Sequence, residues 1–152
     1  MTRPPTDVLA PCAGRVLPLS EVPDPVFAAE MVGPGVAIDP APGLTTVVSP
    51  IAGTVVKVHP HAFVVLGADG VGVLVHLGIN TVRLEGAGFE VLVEQGSTVK
   101  AGAPMVTWDP STITGDGIST VVPVVVMDAP KGSVTSPLTG SDASAGDVLF
   151  TA

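Results

Sequence analysis

The sequence predicts an all-β fold, an antiparallel β-sandwich or flattened barrel with one or two short helical turns. Its 152 residues are 46% hydrophobic and include abundant valine, 18 glycines and 16 prolines. Valine favours strands, whereas glycine and proline favour the turns that separate short strands. A chain of this length can build one proper core, so residues 1–152 are expected to form a single domain.

A short unit that contains proline and glycine recurs along the chain. Pro11 and Gly14 lie in the first copy, Pro50 and Gly53 lie in the second, and a shorter copy follows at residues 135–140. Within a sheet, proline is confined to an edge or a strand start, and glycine permits a bulge or a tight bend. The repetition predicts a duplicated hybrid motif. A glycine-rich stretch further along predicts one of its hairpins, at residues 96–105.

Two Asp-Pro pairs predict the helical turns. Asp24 precedes Pro25 in the first pair, and Asp109 precedes Pro110 in the second. Aspartate suits the N-cap of a helix, and proline suits its first position. Gly115 should end the second turn quickly, because glycine disfavours a helix interior.

The acidic balance of the chain excludes some classes of partner. Its net charge is -8, with only 6 Lys and Arg against 14 Asp and Glu. Nucleic acid is therefore not an expected partner, because binding to its phosphates requires clustered basic residues. A single cysteine, Cys12, and an N-terminus without the apolar run of a secretory signal indicate the cytoplasm. No segment approaches the ~20 apolar residues of a membrane-spanning helix.

All three histidines of the chain lie in or beside one expected β-hairpin. Apolar, β-branched runs flank the turn sequence Gly67–Gly70 on both sides. A four-residue loop sets a register in which His61 directly faces His76. The Cβ atoms of such opposed residues lie ~5 Å apart, and His59 would be a diagonal neighbour at ~7–8 Å.

Convergence of the histidines predicts a functional site, although a lone histidine is usually structural. Two opposed imidazoles in a mostly apolar surface resist simultaneous protonation, because each positive charge lowers the pKa of the other ring. A neutral imidazole is then available near pH 7. Such a ring can attack phosphorus or bind a metal.

Apolar residues near the histidines have two interpretations. Val26, Phe27, Met31, Val32 and Val82 belong to the core by default, because the chain is rich in valine. Some of them could instead form an exposed docking patch around the histidines, and hydrophobicity alone does not distinguish the two interpretations.

Five separated segments carry a resemblance to a known family. They are Val22–Ala28, Met31–Ile38, His61–Phe63, His76–Val82 and Leu84–Phe89. In this order they resemble the glucose-family enzyme IIA domain of the bacterial sugar phosphotransferase system, across nearly the whole chain. The resemblance implies a phosphoryl carrier without a cofactor. No carboxylate pair for Mg²⁺ is visible, which agrees with transfer between histidines by positioning.

The resemblance also implies a role for particular residues. His76 would accept a phosphoryl group from the phosphocarrier protein HPr and pass it to the enzyme IIB domain of a sugar permease. His61 would hydrogen-bond the phosphoryl oxygens. In this family a backbone carbonyl, here that of Gly78, holds the other ring N–H of the nucleophile and leaves Nε2 free to attack.

The chain departs from the better-known family members at two positions. His59 and Pro60 precede the companion histidine where a threonine is common, so His59 is a candidate for the outer hydrogen bond. Asn80 stands where the motif usually has aspartate, so a carboxylate that could meet an arginine of the donor is missing. Asn80 and the five apolar residues named above are the candidate partner-binding residues.

Two other functions remain open from the sequence. His59, His61 and His76 form a plausible set of three nitrogen ligands for a zinc hydrolase, although upstream His and Asp ligands are missing. The non-catalytic alternative is a regulatory binding module that uses the histidine surface to sense phosphorylation and to dock metabolic enzymes.

Overall fold

The computed structural model describes residues 6–152, so most of the N-terminal segment assessed for a secretory signal lies outside the described residues. One α-helix, α1, spans Pro25–Ala28, and three 3-10 turns span Leu19–Glu21, Thr81–Leu84 and Pro110–Thr112. The strands are β1 (Asp7–Leu9), β2 (Gly14–Pro18), β3 (Gly35–Pro40), β4 (Thr45–Val48), β5 (Gly53–His59), β6 (Ala62–Leu66), β7 (Gly72–His76), β8 (Phe89–Val91), β9 (Thr98–Val99), β10 (Pro104–Trp108), β11 (Val122–Met127), β12 (Asp142–Ala143) and β13 (Val148–Thr151).

These strands form three antiparallel sheets that share one core. The largest sheet has the order β12-β2-β3-β11-β7-β6-β5-β9, a second sheet has the order β4-β10-β8, and β1 pairs with β13. Val8 of β1, Trp108 of β10 and Phe150 of β13 pack in the same cluster as Phe63 and Val75 of the large sheet. The predicted antiparallel β-sandwich is confirmed.

The two copies of the proline-glycine unit contact each other as equivalent partners. The N–H of Leu9 donates to the carbonyl of Pro50, and the N–H of Val48 donates to the carbonyl of Pro11, both at 2.9 Å. The glycine of each copy begins a strand, β2 in one case and β5 in the other. The predicted duplication is therefore confirmed. The prediction of a third copy at residues 135–140 is wrong, because that segment contains a turn and no strand.

A second pair of equivalent segments was not predicted. The N–H of Gly96 donates to the carbonyl of Val55 at 2.7 Å, and the N–H of Gly140 donates to the carbonyl of Val16 at 2.8 Å. The following strands also correspond, because β9 pairs with β5 as β12 pairs with β2. Both segments have the pattern Gly-Ser-x-x-x-Ala-Gly, which was the signal available in the sequence.

The hairpin predicted at residues 96–105 does not form. β9 pairs with β5 of the large sheet, whereas β10 pairs with β4 and β8. The N–H of Ala103 donates to the carbonyl of Lys100 at 3.0 Å and closes a turn between the two strands. The turn composition was interpreted correctly, but the turn connects two sheets.

Both predicted helical turns are confirmed. The carboxylate of Asp24 accepts the N–H of Val26 at 2.8 Å and that of Phe27 at 3.4 Å, which caps α1. The carboxylate of Asp109 accepts the N–H of Ser111 at 2.9 Å at the start of the Pro110–Thr112 turn.

Within residues 6–152, no helix is both long and apolar enough to cross a membrane.

The segment that contains α1 lies on the outer face of the large sheet. Leu19, Val22 and Phe27 form a second apolar cluster with Ala37 of β3 and Val125 of β11. This cluster fixes α1 beside the end of β7, because β7 and β3 both pair with β11.

Candidate functional site

Two successive hairpins bring the histidines together. β5 ends at His59, and a two-residue turn of Pro60 and His61 leads into β6. Ala62 pairs with His59 on one side and with His76, the last residue of β7, on the other. His59, Ala62 and His76 therefore form one row across three strands, and the small side chain of Ala62 leaves space between the two imidazoles.

The β6–β7 register differs by one residue from the predicted one. His61 lies opposite Leu77, whose N–H donates to the carbonyl of His61 at 2.6 Å, and Ala62 pairs with His76 instead. In the loop, the N–H of Gly67 donates to the carbonyl of Val71 at 2.8 Å, and the carboxylate of Asp69 accepts the N–H of Val71 at 3.1 Å, so Val71 does not pair with Leu66. The predicted direct pairing of the two histidines is wrong, but their side chains still meet.

The three imidazole rings lie in a row with His61 at its centre. The ring centroid of His61 is 5.3 Å from that of His76, with 71° between the ring planes. On its other side, it is 5.8 Å from the centroid of His59, and these two rings are stacked with 23° between their planes. His59 is exposed, whereas His61 and His76 are partly buried.

A backbone carbonyl fixes the tautomer of His76. Nδ1 of His76 is hydrogen-bonded to the carbonyl oxygen of Gly78. Because a carbonyl only accepts, Nδ1 carries the proton and the lone pair of Nε2 is free. Gly78 has a φ of +88°, and a Cβ there would lie 2.5 Å from Cγ2 of Thr81 and 2.6 Å from the carbonyl oxygen of Ser119. Only glycine fits this position.

Thr81 and Ser119 hold the loop that follows His76. The buried hydroxyl of Thr81 donates to the carbonyl of Leu77 at 2.7 Å. Ser119 and Ile79 exchange two backbone hydrogen bonds of 2.8 Å and 3.2 Å. Sequence reasoning missed both residues, because their contribution is to shape the loop and neither belongs to a chemically reactive pattern.

The start of α1 forms one wall of the site. The ring of Phe27 lies 5.3 Å from the ring of His76 by centroid, with 60° between the planes. The carboxylate of Asp24, which caps the helix, also favours the charged form of His76. Sequence reasoning identified the cap and missed this electrostatic contribution.

Burial lowers the pKa of both inner histidines below the ordinary value of 6.5. For His61, partial burial is the largest cause, and repulsion from His76 and then His59 adds to it. For His76, burial is again the largest cause, and the hydrogen bond to Gly78 and the charge of Asp24 oppose it. Both rings are therefore neutral near pH 7 in the free protein.

The candidate apolar docking residues divide into two groups. Val26, Met31 and Val82 are 43%, 67% and 59% exposed. Phe27 is buried in the second apolar cluster, and Val32 packs against that cluster in a partly buried position. Three of the five side chains are thus available at the surface, and two support it from beneath.

Asn80 ties the loop after His76 to a neighbouring loop. Its side-chain Nδ2 donates to the carbonyl of Gly117 at 2.8 Å. Its φ is +61°, in a left-handed region that asparagine tolerates well. Nearby, Nη1 of Arg83 donates to the carbonyl of Asp116 at 3.5 Å. The amide of Asn80 therefore has an internal structural use that sequence reasoning did not predict.

The described residues offer no support for a metal centre. Within 6–152, no group of three His, Cys, Asp or Glu side chains could hold a metal ion. Cys12 is buried, and burial raises the pKa of its thiol to about 12, so this thiol stays protonated near neutral pH. The zinc-hydrolase alternative therefore has no support in the geometry of the histidine row.

Comparisons with known proteins agree on one family. A family model described as phosphoenolpyruvate-dependent sugar phosphotransferase system, EIIA 1, matches residues 6–132. The solved glucose permease IIA from Mycoplasma capricolum is similar with a TM-score of 0.86 and 34% identity, over 98% of this chain and 96% of that chain. The resemblance inferred from the sequence is therefore confirmed.

Two curated relatives differ in how much of their length they share with the chain. The PTS system glucose-specific EIIA component of Bacillus anthracis is 39% identical over 141 residues, which cover 91% of this chain and 84% of that protein. The PTS system glucose-specific EIIBCA component of Corynebacterium glutamicum is 45% identical over 127 residues, 82% of this chain. The chain spans only 18% of the length of that relative.

The fold and these matches define an EIIA-type domain of the sugar phosphotransferase system. The chain belongs to the EIIA 1 family of the phosphoenolpyruvate-dependent sugar phosphotransferase system.

Proposed function

We propose that the chain acts in the cytoplasm as a single domain that accepts a phosphoryl group from phospho-HPr on Nε2 of His76. It then passes this group to the enzyme IIB domain of a sugar permease. The observation that carries the proposal is the hydrogen bond between Nδ1 of His76 and the carbonyl of Gly78. This bond prepares the nucleophile before the donor binds, because it selects the tautomer with a free Nε2 lone pair.

The transfer needs positioning and no redox chemistry. The lone pair of Nε2 attacks phosphorus, the bond between this nitrogen and phosphorus forms, and the bond between phosphorus and the donor's nitrogen breaks. The electron pair of the broken bond returns to the donor. In the second step His76 is the leaving group, and a nucleophile of the IIB domain takes the phosphoryl group.

His61 is the proposed companion in both steps. Its ring centroid lies 5.3 Å from that of His76, so its N–H can reach an oxygen of a phosphoryl group on Nε2. Its lowered pKa keeps it neutral before transfer. The negative charge of the phosphoryl group then favours a proton on His61, because opposite charges in close contact favour the charged form.

HPr and the IIB domain should use the same surface, because the phosphoryl group enters and leaves through one nitrogen atom. Exposed apolar side chains in and after α1 and after β7 support a docking surface here, because exposed apolar patches often mark sites of protein–protein contact. The proposed contact residues are Val26, Met31, Asn80 and Val82, and Phe27 and Val32 support them from beneath.

Incubation with enzyme I, HPr and labelled phosphoenolpyruvate tests the proposal. Wild-type protein should take up label stoichiometrically, whereas His76→Gln should take up none and keep the wild-type unfolding midpoint. His61→Gln keeps the nucleophile and loses a charge-assisted hydrogen bond of ~1.5–3 kcal/mol, so onward transfer should slow about 10- to 150-fold. Stable labelling of His76→Gln would overturn the assignment.

A further inference from the structure

His59 forms the exposed end of the histidine row. It is the last residue of β5, and its ring is stacked on that of His61 with 5.8 Å between centroids and 23° between planes. His61 lies in the two-residue turn between β5 and β6, where its backbone carbonyl accepts the N–H of Leu77. A side chain in a turn has more freedom than one in a paired strand. The stacked ring of His59 is therefore a direct restraint on His61.

The strand pairing explains why this stack forms. His59 and His76 both pair with Ala62, so both side chains leave the same face of the sheet with a methyl group between them. The ring of His61 has one imidazole on each side, that of His59 at 5.8 Å and that of His76 at 5.3 Å between centroids. Restraint by His59 therefore acts on the ring that faces His76.

We propose that His59 is a positioning residue for phosphoryl transfer, whose stacked ring holds His61 against His76. The proposal deepens the role of His61 and rests on the phosphoryl-carrier function proposed above. Stacked imidazoles accept one positive charge readily, whereas two adjacent positive charges repel.

The neighbouring histidines are the charged groups that act on His61. Burial lowers its pKa most, and repulsion from His76 and then from His59 lowers it further. On the strand of His59, Lys57 lies two residues earlier and is exposed.

The adjoining elements carry charged groups too. The segment that packs against Pro60 through Gly86 carries Glu85, which is exposed. Asp24 faces His76 from the start of α1 and favours a proton there. The charges that lower the pKa of His61 are therefore those of its two neighbours in the histidine row, His76 and His59.

A phosphoryl group on His76 changes this balance. Its negative charge favours a proton on His61, which is the nearer ring of the stacked pair. The ring of His59 should remain stacked on the protonated His61 as a cation–π partner. The stack thus stabilises the positive charge of His61 beside the phosphoryl group.

Three variants separate the stacking of His59 on His61 from the repulsion between the two rings. His59→Phe keeps a stacked ring and removes the repulsion, and His59→Ala removes both. Lys57→Gln is the matched control, because it removes a positive charge from the same strand without touching the stack. Ring signals of His61 are followed by NMR across a pH titration of the free protein, and transfer to the IIB domain is followed in the phosphotransferase assay.

We expect the pKa of His61 to rise in both His59 variants, because repulsion from His59 is removed. Transfer should slow about 2- to 10-fold in His59→Ala, which corresponds to the loss of one ring contact, and should stay near wild type in His59→Phe. Lys57→Gln should change neither quantity. Far-ultraviolet circular dichroism and the urea midpoint verify that each variant is folded.

Wild-type behaviour of His59→Ala in both measurements would overturn the proposal. Equal slowing in His59→Phe and His59→Ala would overturn the stacking role, and effects of Lys57→Gln equal to those of His59→Ala would show a general charge effect instead. The titration uses no phosphoryl donor. It therefore tests the interaction between His59 and His61 even if His76 accepts no label. Failure of His76 to accept label would contradict the proposed function and would leave this interaction unaffected.

Discussion

The carbonyl oxygen of Gly78 accepts the Nδ1 proton of His76 from only two residues away in the chain. The bond is possible because the backbone turns sharply after β7, with a φ of +88° at Gly78. The buried hydroxyl of Thr81 and the two backbone bonds between Ile79 and Ser119 hold that turn in place. The reactive tautomer thus depends on loop geometry and on no second catalytic side chain.

Gly78→Ala should separate these two residues. Its Cβ would lie 2.5 Å from Thr81 and 2.6 Å from Ser119, so the carbonyl must move. We expect a loss of ~1–3 kcal/mol in the free energy of unfolding from overpacking. Loss of a bond worth ~1 kcal/mol to His76 should slow phosphoryl acceptance about fivefold or more. Urea unfolding, nitrogen NMR of the His76 ring and initial labelling rates measure these effects.

Gly70→Ala is the matched control for this variant. Gly70 has a φ of +89°, but an added Cβ there would have no atom within 4 Å. It therefore carries the backbone strain without the collision. Equal loss of labelling in Gly70→Ala and Gly78→Ala would show that the hydrogen bond to His76 is not the cause.

The lowered pKa values of His61 and His76 predict how stability depends on pH. Between the folded-state pKa values and 6.5, the unfolded chain binds more protons than the folded one, so stability falls as pH decreases below about 6.5. The urea midpoint of the wild type should decrease as the pH is lowered from about 7.5 to about 5.5. The double variant His61→Gln with His76→Gln should lose most of this decrease. A decrease of unchanged size would assign it to other groups.

The fold could be predicted from the sequence because its signals are local. The copies at Pro11 and Pro50 each show the same pairing of proline with glycine, and they do contact each other. The Asp-Pro cap at Asp24 likewise depends on neighbouring residues only. By contrast, the partner strands of β9 and β10 are distant in sequence, and a turn between them contains no information on which sheets they join.

The site could be predicted in composition and not in register. The sequence placed the three histidines in or beside one hairpin, but in the structure Ala62 lies opposite His76, and the N–H of Val71 donates to the carboxylate of Asp69 within the loop. A side chain in a loop can capture a backbone N–H that a strand pattern assigns to the ladder. The row of rings survives this shift because His61 reaches across from its turn.

Gly53→Ala tests the duplicated unit. A Cβ at Gly53 would lie 2.2 Å from the carbonyl oxygen of Leu66, and one at the equivalent Gly14 would lie 2.1 Å from that of Asp39. Each substitution should lower the free energy of unfolding by ~1–3 kcal/mol. Gly72→Ala is the matched control, because its nearest contact would be 3.8 Å, and alanine in a strand should be neutral or stabilising by ~0.5–1 kcal/mol. Similar urea midpoints for all three variants would contradict the equivalence.

Asn80→Asp should change stability and donor binding in opposite directions. The carboxylate cannot donate to the carbonyl of Gly117, so a bond worth ~0.5–1.5 kcal/mol is lost and the free energy of unfolding decreases. Aspartate tolerates the left-handed backbone at this position, so no further strain is expected. At the rim of the proposed HPr surface, the added charge should speed association with an arginine-bearing donor, by an amount worth ~0.2–1 kcal/mol that shrinks as salt is raised.

Asn80→Gly separates the two effects, because glycine removes the same hydrogen bond, suits the left-handed backbone and adds no charge. It should lose stability as Asn80→Asp does and show no salt-dependent gain in association. Stopped-flow phosphoryl transfer at two salt concentrations, with the native donor and with a donor that carries the arginine, measures the difference. If the native donor lacks the matching positive charge, only the second donor should respond to the carboxylate. A response independent of both salt and donor would remove Asn80 from the interface and leave it the structural role that its bond to Gly117 supports.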